Sequence, residues 1–509
     1  MRILFVLKQR NYLTTYAGAI AALAARGHDV RLAWPDDDTS LPDELASTTI
    51  PVRIWEPARG DEWASVAGLV RRSADYLRYL EPSYQDAVKL RARAFEKLLH
   101  SLSKGSRRPE PGWSELGLLL SEGERTRLST LMRLMEDAMP SDTKHEAFLA
   151  GIRPDVVLVS PLIDLGSAQT DVVKSAKRLG IPTGMVLFSW DNLSTKGGLH
   201  IAPDRLFVWN ERQRQEAADL HGFPVERTIA TGAPRFDEFF RRGTLTARDV
   251  FFAPLGLDPS KPTLMYLGSS KFVVTGTELP FIERWVREIR QSRDERLRTC
   301  NILVRPHPDV KASEAEGPVE IVRWKGLPGR GWLTRPFGDA RAVVLQSHYR
   351  RPDEFYDALS HSAAVVGLNT SAAIEAAIVG RPVFTIVAGD EAADGQHSTL
   401  YFHYLLQENG GCVTMAGSFD EHRQQLAAAL GGPDQGPRLR AFASPSCGQP
   451  GGLSRPRRCL PTPSSGSSGA DRARRQPGRA LMTLSSIVRG VVPCRAQYPD
   501  IRLPGGVVD

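Results

Sequence analysis

Short apolar runs alternate with small-residue or amphipathic stretches along most of the chain. The opening MRILFVLKQRNYLTTYAGAIAALAARGHDVRLAWP sets the pattern. Ile3 to Leu7 is a continuous apolar run of buried-strand length. The Ala-rich residues 17–25 suit a helix, Gly27 ends it, and Val30 to Trp34 is the next strand. This is one βαβ unit of a parallel sheet. Further strands are predicted in DVVLVS (155–160), IPTGMVLFSWD (181–191), RLFVWN (205–210) and TIATGAP (228–234). Residues 67–138 read as mostly helical instead, with Tyr76, Leu77, Leu80 and Tyr84 at helical spacing and KGSRRPEPGW as an internal loop. They are expected to form an α-helical insertion. A second series starts near Lys261, with strands in TLMYLGSS (263–270), NILVRPHP (301–308), ARAVVLQS (340–347), AAVVGLN (363–369) and PVFTIV (382–387).

Two such series imply an α/β protein of two Rossmann-like domains. The first is placed at 1–240 with its helical insertion, the second at 241–440, with the junction in 235–260. Ligands of open α/β sheets bind outside the carboxyl ends of the strands, so the residues just after each strand form the functional shortlist. Helical spacing continues in DEHRQQLAAAL (420–430). From about Phe442 it stops: residues 441–509 carry nine Gly, nine Pro and nine Ser with no sustained period, a composition that suggests disorder. It fits a GC-rich gene read out of frame as well as an ordinary linker. On the first of these readings a native terminal helix bracing the two domains is missing, and the cleft between them is expected to be loose.

Charge changes the picture little. Of 509 residues, 41% are hydrophobic, enough for large cores, and the net charge is +7. Residues 441–509 hold ten Arg and three Asp with no Lys or Glu, so the whole excess sits in the tail and the body is neutral. No nucleic-acid partner is expected. No apolar run approaches the length of about 18 residues that suggests a membrane-spanning helix, and Ile3 to Leu7 is too short for a signal peptide. The expected location is cytoplasmic, with at most peripheral contact with the inner face of a membrane. The cysteines, Cys300, Cys412, Cys447, Cys459 and Cys494, lack metal-type spacing.

Candidate chemistry concentrates after the strands. In GLNTSAAIEAAIVGRPV, residues 367–383, Asn369, Thr370 and Ser371 stand where a strand gives way to a helix. All three are good N-caps, and helix N-termini attract phosphate. Glu375 lies one turn on, where a carboxylate accepts hydrogen bonds from two ribose hydroxyls. Arg305 and His307 follow the strand of NILVRPHP, offering a guanidinium fork and an imidazole to phosphate oxygens. Ser269, Ser270 and Lys271 close another strand and suit a diphosphate. Trp190 and Asp191 lie in LFSWDNLSTKG (187–197). The indole suits stacking on a sugar, and Asp191 suits general-base work; the plainer alternative is a helix-capping Asp and a Trp packed between the domains. Lys8, Arg10 and Asn11 follow the first strand, with their role open. No metal-binding Asp-x-Asp element stands out, so a metal-independent reaction is expected.

The run Glu375, Ala376-Ala377, Gly380 and Pro382 resembles the nucleotide-sugar motif in the second domain of GT-B glycosyltransferases. The resemblance implies that Glu375 binds the nucleotide ribose and that Asn369, Thr370 and Ser371 contact the diphosphate. TGAPRFDEF (231–239) is similar to the Gly-x-Pro-Arg-x-Asp segment of CDP-glycerol glycerophosphotransferases and to the hinge of UDP-N-acetylglucosamine 2-epimerases. The implied function is transfer of a sugar from a nucleotide-diphosphate donor to a carbohydrate or lipid-linked acceptor in cell-surface synthesis, with the donor as substrate and no cofactor. The alternatives are polyol-phosphate transfer, UDP-sugar 2-epimerisation, or non-catalytic nucleotide binding as a scaffold. The oligomeric state is open.

Overall fold

The computed structural model describes residues 1–102, 112–241, 245–270, 278–305, 307, 332–337, 340–345, 352–387, 396, 399–432 and 436–443. The expectations for Lys271 and for residues 444–509 lie outside the described residues.

The apolar runs become two seven-stranded sheets. The first is built from β1 (Arg2–Leu7), β2 (Asp29–Trp34), β3 (Val52–Ile54), β4 (Val156–Ser160), β5 (Thr183–Val186), β6 (Arg205–Val208) and β7 (Thr228–Ala230). Its order is β3-β2-β1-β4-β5-β6-β7, parallel throughout. That is the doubly wound Rossmann order extended by one strand, and the order reverses between β1 and β4. There Ile3 faces Val156 and Leu7 faces Ser160. β4 is buried along its whole length and β1 along all but its first residue, as expected of strands covered on both faces.

The second sheet contains β8 (Thr263–Leu267), β9 (Asn301–Arg305), β10 (Trp332–Phe337), β11 (Ala340–Leu345), β12 (Ala364–Val366), β13 (Val383–Ile386) and β14 (Val413–Ala416). Its order, β10-β11-β9-β8-β12-β13-β14, reverses between β8 and β12. β10 and β11 pair antiparallel at one edge; the other pairs are parallel. One apolar cluster runs through both units, from Leu4 and Val157 through Trp190, Trp209 and Phe236 to Phe402, Leu405 and Leu439. The junction between the sheets is therefore part of the core.

The inserted helices are Ala64–Arg78, Val88–Leu102 and Glu122–Ala138. Ser121 and Glu124 start the last with a reciprocal capping box, which satisfies two otherwise orphaned N–H groups. The expected helical run through Tyr84 breaks after Arg78, ahead of Pro82, yet Tyr76, Leu77, Leu80 and Tyr84 still gather in one cluster. A buried charge network fastens the insertion to the Gln169–Arg178 helix. Arg71 donates to both oxygens of Glu136 (2.8 and 3.0 Å) and of Asp171 (2.6 and 2.8 Å). Arg59 also reaches Asp171 at 2.6 Å. Among the described residues no helix is long and apolar enough to cross a membrane.

The sequence pattern places the end of the ordered body near Phe442. The Gly436–Ala443 helix runs across that point and buries Leu439, Phe442 and Ala443 in the common core. The packed body therefore extends at least to Ala443.

Candidate functional site

The two reversal points place the shortlisted residues in two groups, one on each sheet. On the second sheet the chain leaves β8 through Gly268, Ser269 and Ser270, and leaves β12 through Gly367, Leu368, Asn369 and Thr370. A Cβ on Gly367 would stand 3.0 Å from the Leu267 carbonyl and 3.2 Å from the Thr370 methyl. Glycine is what lets these loops touch.

The first expectation to change is Ser269. Its N–H and hydroxyl donate to Glu278 at 2.6 and 3.1 Å, and its hydroxyl accepts from the Asn369 N–H at 3.4 Å. At 4% exposure it is a loop staple and not a diphosphate ligand. Glu278, which the sequence reading missed, also accepts from the Tyr266 hydroxyl at 2.8 Å. Burial pushes its carboxyl up, against the hydrogen bonds of Ser269 and Tyr266. Ser270 is half-buried beside it. Asn369 is buried too, with its side-chain amide on the Thr399 hydroxyl at 3.1 Å and in hydrogen bond with Tyr401. Thr370 accepts from the Ala372 N–H at 3.3 Å, and Ser371 is exposed. A small cavity under this loop is lined by Leu267, Gly367, Asn369, Thr370, Ala373 and Phe402.

Glu375 lies on the Ala372–Ile378 helix, all of whose residues are buried. Its carboxylate faces the Arg235 guanidinium at 3.9 Å, with side-chain exposures of 11% and 33%. Burial pushes the Glu375 carboxyl up, while Arg235 and Arg305 pull it down. Arg305 ends β9 and lies over the Phe355 ring, 3.6 Å from its centroid. His307 is half-buried two residues on. Glu375, Arg235 and Arg305 thus form one charged group at the mouth of the second sheet. Arg235 was legible only as part of the Gly-x-Pro-Arg segment, and comes from the chain just after β7.

The second group surrounds the ends of β1, β4 and β5. Asp191 accepts from the Ser189 hydroxyl (2.6 Å), the Thr195 hydroxyl (2.7 Å) and Lys196 (3.1 Å). Burial disfavours its charge, but Lys196 and the two hydroxyls outweigh that and hold the carboxyl down to about 2. Lys8 pairs with Asp164 across the β1–β4 reversal. Arg10 turns away to the Ser40 carbonyl at 2.8 Å and to Asp38 at 3.3 Å, and Asn11 is exposed. Asp36, Asp37 and Asp38 form an aspartate run that the sequence reading passed over. Among the described residues no three His, Cys, Asp or Glu side chains gather to hold a metal ion.

Trp190 is corrected as well. It is 5% exposed, its ring meets Trp209 with centroids 6.3 Å apart, and its indole N–H donates to the Tyr401 carbonyl at 3.2 Å. It packs at the seam between the sheets and offers no open face to a sugar. The seam also holds Tyr404, whose ring lies under Arg212 at 4.1 Å. Between the two groups stands Tyr401, whose hydroxyl is raised in pKa by burial and by Asp191. The carboxylate of one sheet thus acts on a side chain that is hydrogen-bonded to the Asn369 loop of the other.

No family model matches the chain, and no curated protein matches it in sequence. Among solved structures it is similar to the UDP-GlcNAc 2-epimerase of Neisseria meningitidis bound to UDP-GlcNAc: 11% identity over 89% of this chain and 96% of that one, TM-score 0.44. The UDP-GlcNAc 2-epimerase of Methanocaldococcus jannaschii matches at 13% identity over 87% and 99%, TM-score 0.42. The calicheamicin glycosyltransferase CalG4 matches at 13% identity over 86% and 92%, TM-score 0.43.

Proposed function

We propose that this protein transfers a sugar from a nucleotide-diphosphate donor to a carbohydrate acceptor. The observation that carries the reading is the placement of two unlike groups at the strand ends around the reversal points of two sheets sharing one core. Glu375 with Arg235 and Arg305 suits the donor: the carboxylate accepts from ribose hydroxyls, and the guanidinium groups face the phosphates. Thr370 and Ser371 precede the helix of Glu375, and Ser270 and His307 follow β8 and β9. Asp191 on the other side suits the acceptor.

In the reaction the acceptor oxygen bonds to the anomeric carbon, the bond from that carbon to the diphosphate breaks, and the diphosphate leaves with the electron pair. The acceptor proton passes to Asp191 and then to solvent. A carboxyl held near 2 is a weak base toward an alcohol. Proton transfer therefore comes late, once bond formation has turned the acceptor hydroxyl into an acidic oxonium. Before that, the ionised carboxylate orients the hydroxyl as a hydrogen-bond acceptor.

The test has two arms. Calorimetry with UDP, CDP, dTDP and GDP should give one nucleoside diphosphate that binds wild type and is weakened in Glu375→Gln. Release of that diphosphate from its sugar conjugate should then depend on added acceptor. Isomerisation of the sugar without acceptor would make the protein an epimerase, and nucleotide binding without any turnover would make it a binding protein.

A further inference from the structure

Two half-buried aromatic rings lie beside the Asp191 group that the sequence analysis did not single out. Tyr12 and Phe188 stack with ring centroids 3.7 Å apart and planes tilted by 31°. Tyr12 begins the Leu13–Ala24 helix after β1, and Phe188 follows β5, so the pair bridges the ends of the strands that flank β4. Both rings rest on the core of the first sheet. Two carboxylate–ammonium pairs flank them. One is Asp164 with Lys8, at side-chain exposures of 28% and 45%. The other is Asp191 with Lys196, 3.1 Å apart at exposures of 23% and 35%. The Tyr12 hydroxyl is near enough to both carboxylates that burial, Asp164 and Asp191 all push its pKa upward.

The geometry points to a binding platform for a neutral, polyhydroxylated sugar ring at the ends of β1, β4 and β5, built from Tyr12, Phe188, Asp164, Lys8, Asp191 and Lys196. This rests on the transferase reading and specifies its acceptor. A pyranose has an apolar C–H face and a polar rim. The electron-rich face of an aromatic ring takes the first. The rim takes the rest: ionised carboxylates accept from sugar hydroxyls while ammonium groups donate to them. Each pair can thus hold neighbouring hydroxyls, one as donor and one as acceptor. The same arrangement suits a phosphorylated acceptor poorly. Both ammonium charges are cancelled by adjacent carboxylates, and the next cation along the chain, Arg10, is committed to Ser40 and Asp38. A phosphate would bring its charge against Asp164 and Asp191 without a free cation of the platform to offset it.

The test is saturation-transfer NMR on the full chain with methyl glycosides of glucose, galactose, mannose and N-acetylglucosamine, and with their 6-phosphates. At least one neutral glycoside should bind with saturation concentrated on its ring C–H protons, and its 6-phosphate should bind more weakly. Tyr12→Ala and Phe188→Ala should each weaken it about tenfold, while Tyr12→Phe, which keeps the ring, should retain most binding. Nucleotide affinity, measured on the same samples, should be unchanged in all three variants and also certifies that they are folded. Absence of any neutral glycoside signal overturns the platform, as does tighter binding of the phosphates or binding indifferent to the ring variants. None of these outcomes touches the donor site. Conversely, glycoside binding in a protein that takes up no nucleotide would leave the platform standing and remove the transferase reading.

Discussion

Arg235 and Glu375 meet where the two sheets join, 3.9 Å apart, the guanidinium one-third exposed and the carboxylate almost buried. Arg235 follows the last strand of the first sheet, and Glu375 lies on a buried helix of the second. A proposed nucleotide carboxylate is therefore tuned by a cation from the opposite unit. Burial raises its pKa, and Arg235 is the first of two cations opposing that rise.

The direct consequence is for donor affinity. Glu375→Gln keeps the shape of the side chain and removes the charge. Losing a hydrogen bond to a charged group costs about 1.5–3 kcal/mol, roughly tenfold or more in Kd. Titration calorimetry with the cognate nucleoside diphosphate reads this directly, and unchanged affinity would remove Glu375 from the site. Arg235→Met should weaken binding at every pH, because it removes a guanidinium that faces the phosphates, and should also act through pH. Without that cation the Glu375 carboxyl rises further, so the loss of affinity on acidification should begin at higher pH than in wild type. An unchanged onset would show that Arg235 does not tune Glu375.

Asp191→Asn tests the other side. It should lower kcat by about 10²–10⁴ and leave nucleotide affinity unchanged. Because the carboxyl is held down to about 2, ionisation of Asp191 should leave no acid limb in the rate profile between about pH 4 and 7. A wild-type kcat in the variant would place the proton acceptor elsewhere.

Apolar runs such as those of β1, β4, β8 and β12 announced the two sheets because a strand covered on both faces must be apolar throughout. β3, with Arg53 and Ile54 exposed, gave no such signal, and neither did β10, where Pro336 and Arg335 interrupt the pattern. The site was legible in the same graded way. Position after a strand put Asp191, Arg305 and Thr370 on the shortlist, and the helix that follows β12 added Glu375. Position could not separate an inward side chain from an outward one, so Ser269 and Trp190 read as ligands although one staples a loop to Glu278 and the other seals the seam. Tyr12, Phe188 and Asp164 stand at three separate strand ends. No local spacing connects residues that only the sheet order brings together.

The buried network under the helical insertion gives a stability prediction. Arg71 is the cation shared by Glu136 and Asp171, all with side chains at most 3% exposed. Arg71→Met strands carboxylates in the core, a change that typically costs about 3–5 kcal/mol. Part of that cost is relieved here because Arg59 and Lys174 still reach them. A loss of about 3 kcal/mol in urea denaturation is expected. A loss below about 1 kcal/mol would mean that the remaining cations suffice.

The seam carries its own pH dependence. Glu216, 4% exposed on the Glu211–His221 helix, is hydrogen-bonded to Tyr404 and has Arg212, Arg78 and Asp191 as charged neighbours. Burial lifts its carboxyl from an ordinary 4.5 to about 7, against the pull of Tyr404, Arg212 and Arg78. The folded chain therefore keeps a proton that the unfolded chain releases. The associated stability is complete below about pH 4.5 and is lost as the pH rises through about 7. A shift of this size corresponds to roughly 3 kcal/mol. Glu216→Gln keeps a neutral, hydrogen-bonding side chain at every pH, so it should match wild type near pH 4.5 and become progressively more stable above it, up to about pH 8. The difference between the two denaturation midpoints isolates Glu216 from the histidines that titrate over the same range. A difference that does not grow between about pH 5 and 8 would show that Glu216 is ionised at the seam, satisfied by Arg212 and Arg78.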